Sequence, residues 1–408
     1  MTGHTRLVIA ATIGLAAAAL GRPLLVLAAV LVGDSGRLRV AAACVGAAAL
    51  VFGAGRVAAL DRRALAPGHT RGAVVVVVTG QPTGSHGLAA VRGAGETIVL
   101  SAPGILLEEG GVYRVTGRYQ ALDPVVRDYY STQGAHLELR AAEAVRIGRR
   151  GGVWGAADTV HRTALGELGV ASDPSPPRAL VAGIALGDTG ALPAGTKAEL
   201  RASGLYHLVA VSGQNVALVI AFTLVSLGAV GVIGVPARLA ALAVTLGYVL
   251  VTGAGPSIVR AGVAGGLVAV AWLGSRAVSR WHLLACGAAV VLALDPLELY
   301  DPGFQLSFSA VIAIFVVAPR LRGLLGQAAA VSVACTVVTA PIVWWHFGRA
   351  SPLAIPANLL ALPAVAPILW LALVAMLAHA VWPPLAVPLL GLADLLAGYV
   401  LAVARSCS

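Results

Sequence analysis

Gly204-Leu-Tyr-His-Leu-Val-Ala-Val-Ser-Gly-Gln-Asn215 is the stretch at which this 408-residue chain changes solvent. Downstream, Leu208–Ser408 holds eight arginines and four acids in 201 residues. Upstream, Asp61–Arg150 holds eleven arginines and eight acids in only 90 residues. The first composition suits a bilayer and the second suits water. The whole chain is 58% hydrophobic and 11% charged, which excludes a soluble globular enzyme, a disordered tail and a coiled coil. What remains is an integral membrane protein with a basic bias, net charge +10 and pI about 10.1. Lys197 is the only lysine. Cys44, Cys286 and Cys335 lie in apolar runs and Cys407 is penultimate, so no disulfide framework is expected.

Downstream of the pivot the apolar runs predict about eight spans, near 215–233, 237–252, 257–274, 281–294, 304–318, 324–346, 352–378 and 384–404. Several are short or interrupted by Gly and Pro, which is tolerated where neighbouring helices or a water-filled cavity satisfy the freed backbone. With these spans, Arg238, Arg276, Arg280, Arg320 and Arg322 fall on one side, and Asp295, Glu298 and Asp301 on the other. The positive-inside rule puts the arginines in the cytoplasm, leaving residues 60–207 and Ser408 outside. Arg349 falls on the outer side, against the rule. Trp281, Trp344, Trp345 and Trp382 sit near span ends, as interfacial anchors do.

Upstream, Leu7–Leu20, Pro23–Val32 and Leu38–Gly53 are apolar. The first two are short and are split by Gly21-Arg22-Pro23, so one broken span, two half-spans and a re-entrant hairpin all fit residues 1–58. The opening residues read as an uncleaved anchor, because further apolar segments follow in place of a soluble mature start. From about residue 60 to 150 the period changes. Ala73–Thr79, Glu96–Ser101, Gly111–Gly117 and His136–Ile147, with Leu88–Arg92 as a weaker candidate, are short runs separated by Gly, Pro and Ser. Five such strands predict a small β-barrel. In residues 151–206, Gly152–Gly169 reads as an amphipathic helix, with Trp154, Val160, Leu165 and Leu168 on its apolar face, lying on the membrane or on the barrel. Ala179–Leu186 and Thr196–Ser203 read as short helices.

Three stretches are more polar than a lipid-facing sequence tolerates. The pivot places His207, Ser212, Gln214 and Asn215 at the mouth of a span. Gly253-Ala-Gly-Pro-Ser-Ile-Val-Arg-Ala261 sets Ser257 and Arg260 just inside another. Asp301-Pro-Gly-Phe-Gln-Leu-Ser-Phe-Ser-Ala310 spaces Gln305, Ser307 and Ser309 two residues apart. Polar groups at membrane depth are costly and usually face a cavity or a partner helix. For Arg260 two roles stand side by side: lining a path, where it would attract phosphate, or pairing with Asp394 of the last span.

In order and wording these stretches resemble the ComEC competence family, whose signatures stand here as His207-Leu-Val-Ala-Val-Ser-Gly213, Ser257-Ile-Val-Arg-Ala261 and Gly303-Phe-Gln-Leu-Ser-Phe308. The later Pro356-Ala-Asn-Leu-Leu-Ala-Leu-Pro363 is also similar, as are Pro124, Tyr129-Tyr130 and Gly134 at the end of the barrel region. The resemblance implies a predominantly α-helical polytopic protein of the bacterial inner membrane with an inserted, OB-like extracytoplasmic barrel. It implies a competence-type channel domain over 207–405 that admits single-stranded DNA. It further implies an outer DNA receptor and a cytosolic helicase-like ATPase as partners, with homo-oligomerisation left open. Two departures matter. Many relatives continue into a metallo-β-lactamase-like lobe, whereas no His-x-His-x-Asp-His motif occurs here, and Gln214-Asn215 stands where relatives often carry a His.

No catalytic, metal or cofactor site is expected. His207 and Ser212 lack an acidic third member and a strand–turn–helix elbow, and no Gly-rich loop carries the Lys-Ser/Thr of a phosphate loop. In the barrel, Arg114 and Arg118 are candidate DNA contacts, and strand alternation puts Tyr113 and Tyr119 on the opposite face. The competing functional class is a polytopic permease or lipid-handling protein for a smaller solute. A non-transporting scaffold is a third.

Overall fold

The computed structural model describes residues 3–20, 36–61, 68–70, 72–79, 82, 84–93, 96–123, 127, 130, 135–170, 172–209, 211–253, 256–273, 279–348, 351 and 353–408. Two helices open the chain, α1 (Gly3–Ala19) and α2 (Gly36–Asp61). Six strands follow: β1 (Gly68–His69), β2 (Val74–Val78), β3 (His86–Val91), β4 (Thr97–Ser101), β5 (Gly111–Ala121) and β6 (Ala135–Arg149). Helices then run to the end: α3 (Gly152–Glu167), α4 (Pro176–Leu186), α5 (Ala194–Ala202), α6 (Gly213–Ala229), α7 (Val235–Val251), α8 (Pro256–Leu273) and α9 (Arg280–Leu294), and then α10 (Pro302–Val316), α11 (Ala318–Leu325), α12 (Gln327–Phe347), α13 (Ala354–Val381) and α14 (Pro383–Ser406). By contacts the chain divides into Met1–Gly155 with Gly266–Phe304, and Ala156–Gly265 with Gln305–Ser408.

In the first unit, α1 and α2 pack closely. A methyl group at Gly14 would lie 2.1 Å from the Gly46 carbonyl oxygen, so only glycine permits the crossing. The Thr12 hydroxyl bonds back to the Val8 carbonyl at 2.9 Å and approaches Ala285 O of α9 at 3.3 Å. Two of the three opening apolar segments are thus separate helices, and the segment Pro23–Val32 lies outside the described residues.

The barrel forms because its strands alternate. Val76 and Val78 of the valine run are buried, with Val75 and Val77 between and beside them partly exposed. Ala89, Val91, Ile98, Leu100, Tyr113, Val115, Tyr119, Leu137 and Leu139 complete the interior. The order β5-β2-β3-β4-β6 closes through β5–β6, and β4–β6 is the one parallel pair in the sheet, which is the connectivity of an OB barrel. The Leu88–Arg92 candidate is a full member, β3. Closure needs a bulge where the β5–β6 register shifts at Thr116/Gly117. A Cβ on Gly117 would stand 2.2 Å from the Arg140 carbonyl oxygen.

In the second unit, α4 lies at the centre, with every residue from Ala179 to Leu186 buried. Against it packs the α13–α14 hairpin, whose seam is largely alanine: Ala357, Ala361, Ala364, Ala372 and Ala375 on one helix, Ala386, Ala393, Ala397 and Ala404 on the other. Small side chains let the backbones approach, the way helices associate where lipid removes the hydrophobic drive. Outward the same helices present Leu377, Val381, Val387 and Leu395.

Among the described residues three helices, α12, α13 and α14, are long and apolar enough to cross a membrane, and α10 with α11, bent by 59°, makes a fourth if counted as one span. The expected spans near 215–233, 237–252, 257–274 and 281–294 are helices α6 to α9, but α6 and α7 have 17 residues and α9 has 15. Breaks at Gly231, Gly234 and Gly253, all with positive φ, and at Pro256 shorten them. The run near 304–346 is divided by α11, which carries Arg320 and Arg322. Helix α3 buries Asp158 and His161 on one face and leaves Val153, Trp154 and Val160 exposed on another, while Leu168, just beyond its end, is buried.

The N-terminal turn of α4 is fixed by one ion pair. Arg178 Nε donates to Asp394 Oδ1 of α14 at 2.9 Å, Nη2 reaches Asp394 Oδ2, and Nη1 donates to the Leu168 carbonyl at 2.8 Å. Asp394 therefore serves Arg178 and not Arg260: α4 delivers a guanidinium from 216 residues away in sequence. Asp394→Ala should destabilise the protein by about 3 kcal/mol, because it strands a shielded cation. The double variant Arg178→Met/Asp394→Leu should recover most of that loss, as thermal unfolding in detergent will read.

Candidate functional site

The nine polar residues of the three motifs all fall within the second unit. His207 lies in a short 3-10 turn, Tyr206–Leu208, entered through Gly204 at φ 75°. A side chain at that glycine would meet Ala354 Cβ at 2.8 Å, so the turn is held close to the start of α13. His207 Nδ1 donates to the Gly204 carbonyl at 3.0 Å. Its side chain is reached by solvent, yet desolvation pushes the imidazole below the ordinary histidine value, and the Gly204 bond offsets this only in part. With its pKa lowered, the ring is neutral at neutral pH.

Ser212 opens α6 in extended conformation, and its hydroxyl bonds Asn215 Oδ1 at 3.3 Å. Gln214 is exposed. Asn215, in contrast, is almost fully buried and faces away from any open path: its Nδ2 donates to the Ile184 carbonyl at 2.7 Å. One residue on, the Ala185 carbonyl accepts from Tyr248 Oη at 2.9 Å. These are two of the carbonyls that a helix C-terminus leaves without intrahelical partners, and α4 ends there at Gly187, φ 75°. Asn215 thus sits in the first motif as the clamp on α4.

The second motif is local. Arg260 is 6% exposed, and its Nη2 donates to Ser257 Oγ at 3.1 Å, one helical turn back on α8. Helix α8 packs into the angle of α6 and α7, with Gly265 within van der Waals reach of Val216, Ile220 and Thr245, and Gly262 close to Val249. The first and second motifs are therefore carried on neighbouring helices. In the third motif Ser309 bonds back to the Gln305 carbonyl, Ser307 is exposed, and Gln305 Oε1 meets His346 Nε2 of α12 at 2.9 Å. His346 belongs to the site by that bond. Its signal in the sequence was a lone His in an apolar run beside two tryptophans.

A further polar group lies beside the first motif. His161 Nδ1 donates to the Val251 carbonyl at the end of α7 at 2.8 Å, leaving Nε2 3.8 Å from Asp188 Oδ2. Asp188 Oδ1 accepts the Gly190 N–H at 2.7 Å. Burial alone would raise the Asp188 carboxyl, but His161, the Gly190 N–H and the charge of Lys197 outweigh it and hold the group below its ordinary value. In the first unit, Arg114 and Arg118 are exposed on β5, while Tyr113 and Tyr119 face the barrel interior, as alternation requires.

With this geometry the class is that of a membrane protein whose polar residues are gathered on the helices of one unit. The family model described as Competence protein matches residues 184–408, more than half the chain, and the protein belongs to that family. It is similar to ComE operon protein 3 of Bacillus subtilis (strain 168), 29% identical over 163 residues, which is 39% of this chain and 21% of that protein. It is also similar to the uncharacterized protein YcaI of Escherichia coli (strain K12), 28% identical over 160 residues, 37% of this chain and 21% of that one. The matched region is thus about a fifth of the length of these relatives. No solved structure matches the chain.

Two outcomes follow. Tyr248→Phe removes one hydrogen bond and leaves a buried carbonyl alone, so it should cost about 1–2 kcal/mol in chemical unfolding; Asn215→Leu should cost more, because it also removes the partner of Ser212. Because the Asp188 pKa is lower folded than unfolded, its stabilisation is present above the unfolded value near 3.8 and is lost as pH falls through the folded one. In melting curves taken from neutral pH downward, Asp188→Asn should flatten that acid limb.

Proposed function

We propose that the chain is an inner-membrane conduit for single-stranded DNA in natural competence, with its barrel and C-terminus on the outer side. The observation that supports this reading best is the arrangement of the first two motifs on the adjoining helices α6 and α8. There a shielded arginine, Arg260, stands on the helix beside α6, whose approach turn carries the solvent-exposed His207. A guanidinium held out of bulk water offsets phosphate charge strongly, since its field is weakly screened. Ser257, Ser307, Gln214 and the Gln305–His346 pair supply hydrogen bonds in place of hydration water along such a path. Family membership and the order of the three motifs add to the case.

In this reading the protein performs no bond chemistry. It guides the strand, while a receptor outside and an ATPase inside present and pull it. Asn215 and Asp188 keep α4 and its loop in place and do not touch the strand.

The test is uptake. Deletion of the gene should abolish import of labelled DNA into the cytoplasm, and import at the wild-type level would refute the reading. Arg260→Ala should lower import by about tenfold at unchanged protein abundance, with Arg260→Lys intermediate because it keeps the charge and loses the fork. Small-anion flux through the purified protein, with DNA import intact, would establish the permease in its place.

A further inference from the structure

The geometry points to a discrete phosphodiester-binding site on the outer face of the β5–β6 ladder, in which Arg118 and Arg140 together hold one backbone phosphate and Arg114 assists. This rests on the functional reading above for the identity of the cargo, but the site is carried by separate observations. Arg118 and Arg140 are directly opposed across the antiparallel pair, and both are exposed. Like charges in that position destabilise a sheet. An anion bound between them removes the repulsion.

The other arginines of the same ribbon are engaged by protein partners. Arg146 and Arg149 both close on Glu108, at 2.6 and 2.9 Å, and Arg150 lies 5.5 Å over the Trp154 ring. Among the described residues, Arg114, Arg118 and Arg140 take part in no such pair. The acid nearest the opposed arginines along β6 is engaged elsewhere, since Gln120 Nε2 donates to Glu138 Oε2 at 3.0 Å. On the other side Glu143 stands opposite Thr116. Glu138 and Glu143 bracket the arginine pair and confine an anion to it.

The placement is unusual for this topology. OB barrels ordinarily take oligonucleotides on their second and third strands. Here those strands are β3, His86-Gly-Leu-Ala-Ala-Val91, and β4, Thr97-Ile-Val-Leu-Ser101, with no arginine or lysine and no aromatic ring but His86, which is held by Ser85 and Ser101. The stacking platform of single-strand binders is also missing from the β5–β6 face: Tyr113 and Tyr119 point inward, and Tyr113 Oη accepts the Glu108 N–H at 3.0 Å. A face with arginines and no stacking aromatics reads phosphates and not bases. It takes any sequence, and single strand and duplex alike, with strong salt dependence.

The experiment uses the full-length protein in nanodiscs of zwitterionic phosphatidylcholine, with fluorescence anisotropy of a labelled oligothymidine, a mixed-sequence strand and a duplex over a salt series. Arg118→Gln/Arg140→Gln should weaken all three by about tenfold and reduce the salt slope by about one, for the one phosphate no longer held. Its melting temperature should hold or rise as the repulsion is relieved, a change that misfolding would not give. Arg146→Gln/Arg149→Gln should leave binding at the wild-type level.

Wild-type affinity and slope in Arg118→Gln/Arg140→Gln would overturn the site. A marked base preference, or equal losses in both double variants, would overturn it too. So would a loss seen only with phosphatidylglycerol in the nanodisc, which would assign the pair to lipid headgroups. If gene deletion abolishes DNA import while Arg118→Gln/Arg140→Gln binds as wild type, this site alone fails. If deletion leaves import intact, the functional reading fails whatever the anisotropy shows.

Discussion

A buried helix end must satisfy its free carbonyls with protein, and the C-terminal end of α4 imposes that constraint on the second unit. Near its start Arg178 reaches into α14 and back to Leu168. At its end Asn215 and Tyr248 supply donors from α6 and α7. Four separate segments are thereby referred to one eleven-residue rod. The first polar motif begins where that rod has been tied off. Its buried member, Asn215, holds the frame, and its accessible members, His207 and Gln214, face solvent.

The same division runs through the other two motifs. Arg260 is held by a serine one turn away, and Gln305 by a histidine from another helix. In each case a residue that seems from the sequence to be offered outward has a partner that fixes its direction. Pre-set polar groups are what a passage for a charged polymer requires, since every group reoriented during transit adds to the barrier.

The barrel was legible because strands such as β2 and β3 alternate and Gly- or Pro-rich turns separate the runs, so local period and global packing agree there. The inward tyrosines and outward arginines of β5 followed from the same period. The spans were legible as helices but not as crossings, because hydropathy does not say how far positive-φ glycines shorten a helix. Asp394 stood out as an acid in an apolar run, but its partner was misassigned: sequence distance conceals that Arg178 arrives from the short helix α4. The burial of His161 on α3 was hidden because its partners, the Val251 carbonyl and Asp188, lie far from it in sequence. Arg140 went unnoticed since only cross-strand register reveals what stands opposite it.

The alanine seam between α13 and α14 has a consequence for the order in which the molecule assembles. Alanine has no rotamers to lose, so bringing these two long helices together freezes almost no side-chain freedom. The seam joins segments adjacent in the chain and separated by a single extended residue, Trp382, so its loop-closure cost is also small. Contacts that are local and cheap in entropy form early. These two helices are therefore the ones best suited to fold on each other at once, giving α4 and the polar helices a finished wall to close against.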